Sequence, residues 1–433
     1  MKQVLMGGCQ STTASTRYMW VDGYGPTDST QDFRGMMIAE DGTISNLQVA
    51  LTVAPGGVTA RVFTLMVDGA ASALTVTISG TSTTGADTSN SVAVTAGQWV
   101  AMRQTHTGTP AAALPRFACE YSATAAQTAA WGSATSWTVT HNSADSRYAP
   151  LGPVGQDAFA VTTDAGARAP WSIACNIKSL YVKLFAAPGA GDSRAFTVMV
   201  NGVATGSTVT ISEAETTGNA TGMTCAIAPG DLVSLRETGT GTPASSNFYY
   251  GISYTPTTDG QWHISGLVPG DITDGFFGAL GYGVTPISTE IDRVVLVDSA
   301  GNGMKNWRIS NLYFTTAVAP GAGDTRTLTV HKTGAPTALS AVISDAAVSA
   351  SLLGTDVTLL DDDYLSVLFN KSAGADATTR LSWSLAAGPR SAGGSGGGGG
   401  GGQGGGPRGG GGGPGGGRGN ERFVASGRKR LRY

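Results

Sequence analysis

The sequence predicts an all-β protein: three tandem β-sandwich domains of jelly-roll type followed by a flexible glycine-rich tail. Three observations predict it. Apolar and β-branched residues alternate with period two over many short segments. Only 13% of the residues are charged, so Thr, Ser, Asn, Gly and Ala must cover the surface; that is the composition of strands and tight turns rather than of helical bundles. A whole-domain repeat also runs through the first 389 residues.

The repeat is carried by Ile44-Ser-Asn-Leu47, Ile177-Lys-Ser-Leu180 and Ile309-Ser-Asn-Leu312. Each is followed by an Ala-Pro-Gly loop, then by an arginine (Arg61, Arg194, Arg326), then by a turn pair (Asp68-Gly69, Asn201-Gly202, Thr333-Gly334). The offsets are 133 and 132 residues. They persist downstream, where Gln98-Trp99-Val100 matches Asp231-Leu232-Val233 and Asp363-Tyr364-Leu365. A register kept over that distance marks duplication of a domain. The period is far longer than the ~20–50 residues of a solenoid repeat, so each unit can hold its own core. The units are placed at 1–123, 124–256 and 257–389, with first parts that match more loosely than the rest.

Inside a unit, Phe196, Val198 and Val200 share one face, and Val209 and Ile211 point inward between outward Thr208, Thr210 and Ser212. Asp68-Gly69 and Asn201-Gly202 fit hairpin turns that need positive φ. About eight such strands fit one unit. The jelly roll is preferred over an immunoglobulin-like sandwich because the unit is long and lacks Cys…Trp…Cys spacing. Cys9, Cys119, Cys175 and Cys225 do not recur from unit to unit, so free buried thiols in a reducing compartment are expected rather than a disulfide framework.

From Arg390 onward 22 of 44 residues are Gly. Such a chain gains too little burial to offset the entropy of ordering it, so residues 390–419 are predicted to be a linker. Residues 420–433 form a basic peptide in which apolar side chains return: Arg422, Phe423, Val424, Arg428, Lys429, Arg430, Leu431, Arg432 and Tyr433. A peptide that docks on another protein is the first reading. A disordered solubilising end is the second. Nucleic-acid binding is the third and weakest, resting on one Arg408-Gly-Gly element and one short basic cluster. Residues 390–433 carry eight basic side chains and one acid, a net +7, against −10 for the rest of the chain. An acidic body and a basic tail favour self-association or an acidic partner surface.

No cofactor or catalytic site is expected. His106, His141, His263 and His331 show no metal-binding spacing. Asp361-Asp362-Asp363 reads as a solvated turn ahead of a hard-cation site. Gly393-Gly-Ser395-Gly-Gly397 spells a nucleophile-elbow pattern inside low-complexity sequence, where no strand precedes it and no helix follows. The recurring Arg61, Arg194 and Arg326 are read as structural, bracing a turn or pairing with an acid, ahead of a repeated anion site. Trp20, Trp131, Trp137, Trp171, Trp262 and Trp307 cluster in the variable first parts of the units. Core or interface packing is the first expectation for them, and stacking on sugars the second. The apolar start of the chain is shorter than the ~7–15 residues of an export signal, and no run of about 18 apolar residues predicts a membrane span.

The run Ile177–Leu235, with Ala-Pro-Gly-Ala-Gly-Asp-Ser-Arg-Ala-Phe-Thr-Val-Met-Val-Asn-Gly and then Ala-Pro-Gly-Asp-Leu-Val-Ser-Leu, resembles repeats in tailed-bacteriophage virion and tail-fibre-like proteins. Ile309–Val367 is a close copy, and Ile44–Met102 lacks the Gly-Asp of the loop and the Gly-Asp before Trp99. The resemblance implies a non-enzymatic virion component assembled in the host cytoplasm. Its partners would be other virion proteins and a host-surface glycan, as a homo-oligomer guessed to be a trimer. A bacterial carbohydrate-binding adhesin is the alternative.

Overall fold

A computed structural model describes residues 1–389 except 10, 11, 13, 26, 28, 30–33, 127, 135–145, 152–162, 273, 279–294, 297–306, 361, 362, 376 and 377. The described residues fall within one compact unit, Met1–Arg390. The linker and the basic peptide, including every residue from Arg422 to Tyr433 named above, lie outside the described residues.

The first repeat contains β1 (Lys2–Cys9), β2 (Arg17–Met19), β3 (Gly23–Gly25), β4 (Met36–Met37) and β5 (Gly42–Leu51). It continues with β6 (Ala60–Val67), β7 (Ala70–Ser79), β8 (Thr84–Val94), β9 (Trp99–Thr107) and β10 (Pro115–Ala123). The second contains β11 (Ala129–Ala134), β12 (Ser146–Pro150), β13 (Ala169–Pro170), β14 (Cys175–Leu184) and β15 (Gly189–Val200). It ends with β16 (Val203–Glu213), β17 (Thr217–Ile227), β18 (Leu232–Thr240) and β19 (Phe248–Pro256). The third contains β20 (Trp262–Ile272), β21 (Phe276–Gly278), β22 (Val295–Leu296), β23 (Trp307–Thr316) and β24 (Gly321–Lys332). Its remaining strands are β25 (Ala335–Asp345), β26 (Ser349–Leu359), β27 (Tyr364–Lys371) and β28 (Thr378–Pro389). Among the described residues the only helical element is a 3-10 turn at Asp164–Gly166, and no helix is long and apolar enough to cross a membrane.

Each repeat is a two-sheet sandwich. In the second, one sheet runs β11-β19-β14-β17 and the other β12-β18-β15-β16, with β13 also on β18. The third repeats that order as β20-β28-β23-β26 and β21-β27-β24-β25, and the first as β1-β10-β5-β8 and β2-β9-β6-β7. The opening strand pairs with the closing one, the middle pair (β6–β7, β15–β16 or β24–β25) is a hairpin within one sheet, and the flanking connections cross to the other sheet; this is the strand order of a jelly roll. The all-β sandwich architecture predicted from sequence is therefore the observed one. Beside the edge strand of the second sheet of each sandwich, a short segment (β4, β13 or β22) pairs with β9, β18 or β27 of the same sheet.

The Ile-x-x-Leu motif has a definite cause. Strand pairing slips between Ser45 and Leu47, between Ile177 and Ser179, and between Ser310 and Leu312. Asn46 and Asn311 sit there with φ of 57° and 52°. This β-bulge shifts the inward phase by one residue, so Ile44 and Leu47 are both buried although three positions apart. The predicted hairpins are also present: Asp68 and Asn201 adopt φ of 46° and 50° ahead of Gly69 and Gly202, both at φ 85°, the geometry of a type I′ turn.

The three sandwiches close on one another. Segment β4 of the first repeat packs on β11, β14 and β19 of the second; β13 of the second packs on β20, β23 and β28 of the third; β22 of the third packs on β1 and β10 of the first. One head-to-tail contact, used three times, thus returns to its starting point and makes a ring of pseudo-threefold symmetry within a single chain. Val4, Met6 and Ala118 of the first repeat belong to the same continuous apolar cluster as the cores of the second and third.

Candidate functional site at the seams between repeats

The seams are built from equivalent positions in successive repeats, so their differences can be read residue by residue. At the seam between repeats one and two, the Trp99 and Tyr249 rings lie 5.2 Å apart, and Phe185 meets Tyr249 edge-on at 4.8 Å. Lys183 Nζ stands 5.7 Å from the Trp99 ring. The packing requires Gly35, where a Cβ would come within 2.7 Å of the Tyr249 ring. At the seam between repeats three and one, Tyr364 takes the place of Trp99 and Arg116 that of Tyr249; the guanidinium carbon lies 5.9 Å from the Tyr364 ring centre.

The middle seam, between repeats two and three, differs. Leu232 stands where Trp99 does, Ser382 where Tyr249 does and Ala317 where Phe185 does. Backbone pairing establishes the equivalence. The Phe185 N–H donates to Asn247 O just as the Ala317 N–H donates to Arg380 O, and Tyr249 faces Lys183 as Ser382 faces Thr315. Three aromatic rings are thus replaced by three smaller side chains. A half-open cleft of about 260 Å³ remains, lined among others by Arg168, Leu232, Thr315, Ser349, Arg380 and Ser382. Asp164 accepts the Arg168 Nε–H at 2.5 Å and holds that side chain in place.

Elsewhere the middle seam is tightly closed. Trp171 stacks on His263 at 3.9 Å with the planes 6° apart and meets Tyr254 edge-on at 5.6 Å. His263 Nδ1 lies 2.9 Å from Ser172 Oγ and accepts the Ser172 backbone N–H at 3.3 Å, while the His263 backbone N–H donates to the Tyr254 hydroxyl at 2.9 Å. Burial pushes the His263 imidazole down to about 3. Trp20, Trp171, Trp262 and Trp307 are all buried, so of the tryptophans singled out in the sequence these four pack in the interior and offer no face to a sugar. Trp137 lies outside the described residues, as does the side chain of Trp131.

The recurring arginines are fully buried. Arg61 donates to Thr12 Oγ1 at 2.8 Å, to Thr12 O at 2.9 Å and to Ala111 O at 2.5 Å. Arg194 donates to Ala244 O at 2.8 Å and pairs with the buried carboxylate of Glu237. Arg326 donates to Thr316 Oγ1 at 3.3 Å and to Val318 O. Each guanidinium spans neighbouring loop segments from inside the sandwich and satisfies their carbonyls. Asp363 accepts the Thr333 hydroxyl at 2.9 Å and the Leu360 N–H at 2.7 Å, so its carboxylate organises the turn; Asp361 and Asp362 lie outside the described residues, as does Ser395. Among the described residues no three metal-ligating side chains converge.

All four cysteines are free and buried. Desolvation raises the Cys9 and Cys225 thiols above their ordinary range and pushes Cys175 up to about 12. Because the thiolate is the reactive species, the native protein is expected to show no rapid reaction with Ellman's reagent, and all four thiols to react in concentrated guanidinium. Rapid native modification would show that one of these sites opens.

Sequence reasoning did not find Trp99, Tyr249 and Phe185 as a seam, nor the cleft at Leu232, Ala317 and Ser382. The available signal was the repeat alignment itself: a position that changes from Trp to Leu to Tyr in otherwise matching units is one where neighbours differ. Compared with known proteins, the chain matches no family model and no curated protein sequence.

Proposed function

We propose that the chain is a structural component of a bacteriophage virion, of tail-fibre, head-fibre or decoration type, that acts in assembly or host-surface attachment without catalysing a reaction. The observation that carries this reading is the closed ring of three jelly rolls. Fibres and spikes commonly close on a threefold axis of separate chains; here head-to-tail closure within one chain would supply the same shape from a single copy. Each seam surface is then already occupied, so the body has no vacant copy of it to offer a second chain. Assembly contacts fall instead to the basic tail, with Arg422, Phe423, Val424, Arg428, Lys429, Arg430, Leu431, Arg432 and Tyr433 as the docking peptide for another virion protein.

Two measurements test it. Light scattering after size exclusion is expected to give a monomer for residues 1–389, replacing the trimer anticipated from the resemblance, and a discrete larger species or a virion-protein complex for the full chain. An antibody against residues 1–389 is expected to label phage particles in the electron microscope. Unlabelled particles from a lysate in which the chain is expressed would overturn the virion reading.

A further inference from the structure

The outer face of the second sheet carries one group of residues twice. In the first repeat the strand register places Tyr18 of β2 opposite Arg103 of β9, Arg103 opposite Thr64 of β6, and Thr64 opposite Thr75 of β7. In the second repeat Tyr148, Arg236, Thr197 and Thr208 stand in the same order across β12, β18, β15 and β16. Residues directly opposite one another share a face, so each set is a row across four strands. That face points away from the core, because the alternating residues Phe63, Leu65 and Met102 pack inside the first sandwich, as Phe196, Val198 and Leu235 do inside the second. Arg103 and Arg236 make no ion pair or hydrogen bond among the described residues, and the Nε of each is buried without a partner. Both side chains are half-buried, as are Tyr18 and Tyr148, and so reach solvent. Beside them Thr75 donates to Thr64 at 3.3 Å, and the Thr197 and Thr208 hydroxyls lie 2.9 Å apart. Thr64 and Thr197 are buried; Thr75 is half-buried and Thr208 exposed. In the third repeat the row reads Phe277, Leu368, Thr329 and Ser340. There the hydroxyl pair persists at 2.9 Å, but the guanidinium and the phenol are gone together. The sandwich therefore folds without them, and their joint retention in two repeats points to a ligand.

We propose that these two rows are paired binding sites for acidic sugar units of a glycan, one unit to each row. A guanidinium matches a carboxylate by geometry as well as charge. The tyrosine ring supplies an apolar body with a polar tip for the sugar's C–H face and edge, and the Thr75 and Thr208 hydroxyls can donate to or accept from ring hydroxyls. One cation in each row answers one anionic group. The net −10 of the body disfavours a densely charged polyanion such as a nucleic acid, so the fitting polymer carries its carboxylates sparsely. A sheet surface covers little of a sugar, and each site by itself is weak. Two sites on one chain strengthen binding of a polymer that reaches both, through effective concentration. The biological setting of the proposal rests on the attachment reading above, but its test does not use virions.

The test is equilibrium dialysis of the full chain against trigalacturonate, maltotriose and inorganic phosphate, for wild type, Arg103→Gln, Arg236→Gln and the double variant. Trigalacturonate is expected to bind in the millimolar range and maltotriose at least about tenfold more weakly, since it lacks the carboxylates. At a fixed subsaturating concentration each single variant is expected to lose about half of the bound trigalacturonate, as independent sites do, and the double variant all of it. Binding that survives in the double variant would place the ligand on the basic tail and overturn the sites. Maltotriose binding as tightly would overturn the role of the carboxylate, and phosphate binding as tightly would overturn the sugar. Phenylglyoxal labelling of wild type, read by peptide mass spectrometry, keeps the test independent of how the variants fold. Arg103 and Arg236 are expected to be modified, and to be protected by trigalacturonate but not by maltotriose; absence of that protection would overturn the proposal. Antibody labelling of virions would stand untouched by any of these failures, so the two readings fail separately.

Discussion

Glu237→Ala is expected to destabilise the protein by about 3–5 kcal/mol, the cost of leaving a buried cation without its partner. The Arg194 and Glu237 side chains are 2% and 1% exposed, so water cannot replace the lost carboxylate. The other repeats show why the pair is the sensitive element. The position of Glu237 is Gln104 in the first repeat and Phe369 in the third, and there Arg61 and Arg326 are held by carbonyl and hydroxyl oxygens. A sandwich of this type folds with or without the acid, but Arg194 folds beside it. Arg194→Met combined with Glu237→Leu is accordingly expected to recover most of the loss, since replacing a whole buried pair by apolar side chains is often near neutral. Urea denaturation of the single and double variants checks both. A cost below about 1 kcal/mol for Glu237→Ala would mean that solvent reaches Arg194 after all.

Acidification is expected to weaken the ring at its middle seam through His263. The imidazole is held neutral, with Nδ1 accepting from Ser172 and Nε2 buried without a hydrogen-bond partner among the described residues. Its folded-state value of about 3 lies below the ordinary 6.5. In the pH range between those two values the unfolded chain binds a proton that the native chain does not, so stability falls as pH falls. The slope is about 1.4 kcal/mol per pH unit, and the total is on the order of 4–5 kcal/mol by the time the folded imidazole titrates. His263→Asn keeps an acceptor for Ser172 and removes the titration. The difference in melting temperature between wild type and variant, followed from pH 7 downward, isolates this group from the carboxylates that titrate in both. The gap should narrow or reverse with acid; a constant gap would show that protonated His263 is accommodated.

Several elements were legible because they depend on neighbours close in the chain. Asp68-Gly69 and Asn201-Gly202 adopt the positive φ that their residue types favour. Phe196, Val198, Val209 and Ile211 point inward as their alternation predicts. The Ile-x-x-Leu motif was visible but not interpretable: its three-residue spacing is a helical period, and only the pairing slip at Asn46 and Asn311 shows it to be a bulged strand. The recurring arginines were likewise visible in the sequence, but not their burial or their partners, which lie 43 to 50 residues away for Arg194 and Arg61.

By itself the sequence determined the all-β class, the threefold duplication and the sandwich type, because strand alternation and turn chemistry are local and a repeat is visible wherever it lies. Only the tertiary structure decided that the three sandwiches close into a ring, that Trp20, Trp171, Trp262 and Trp307 are interior, and that Leu232, Ala317 and Ser382 together leave a cleft. Those features arise where residues far apart in the chain meet across a seam. Which side chain fills such a space depends on the facing surface, and no periodicity along one strand records what that surface is.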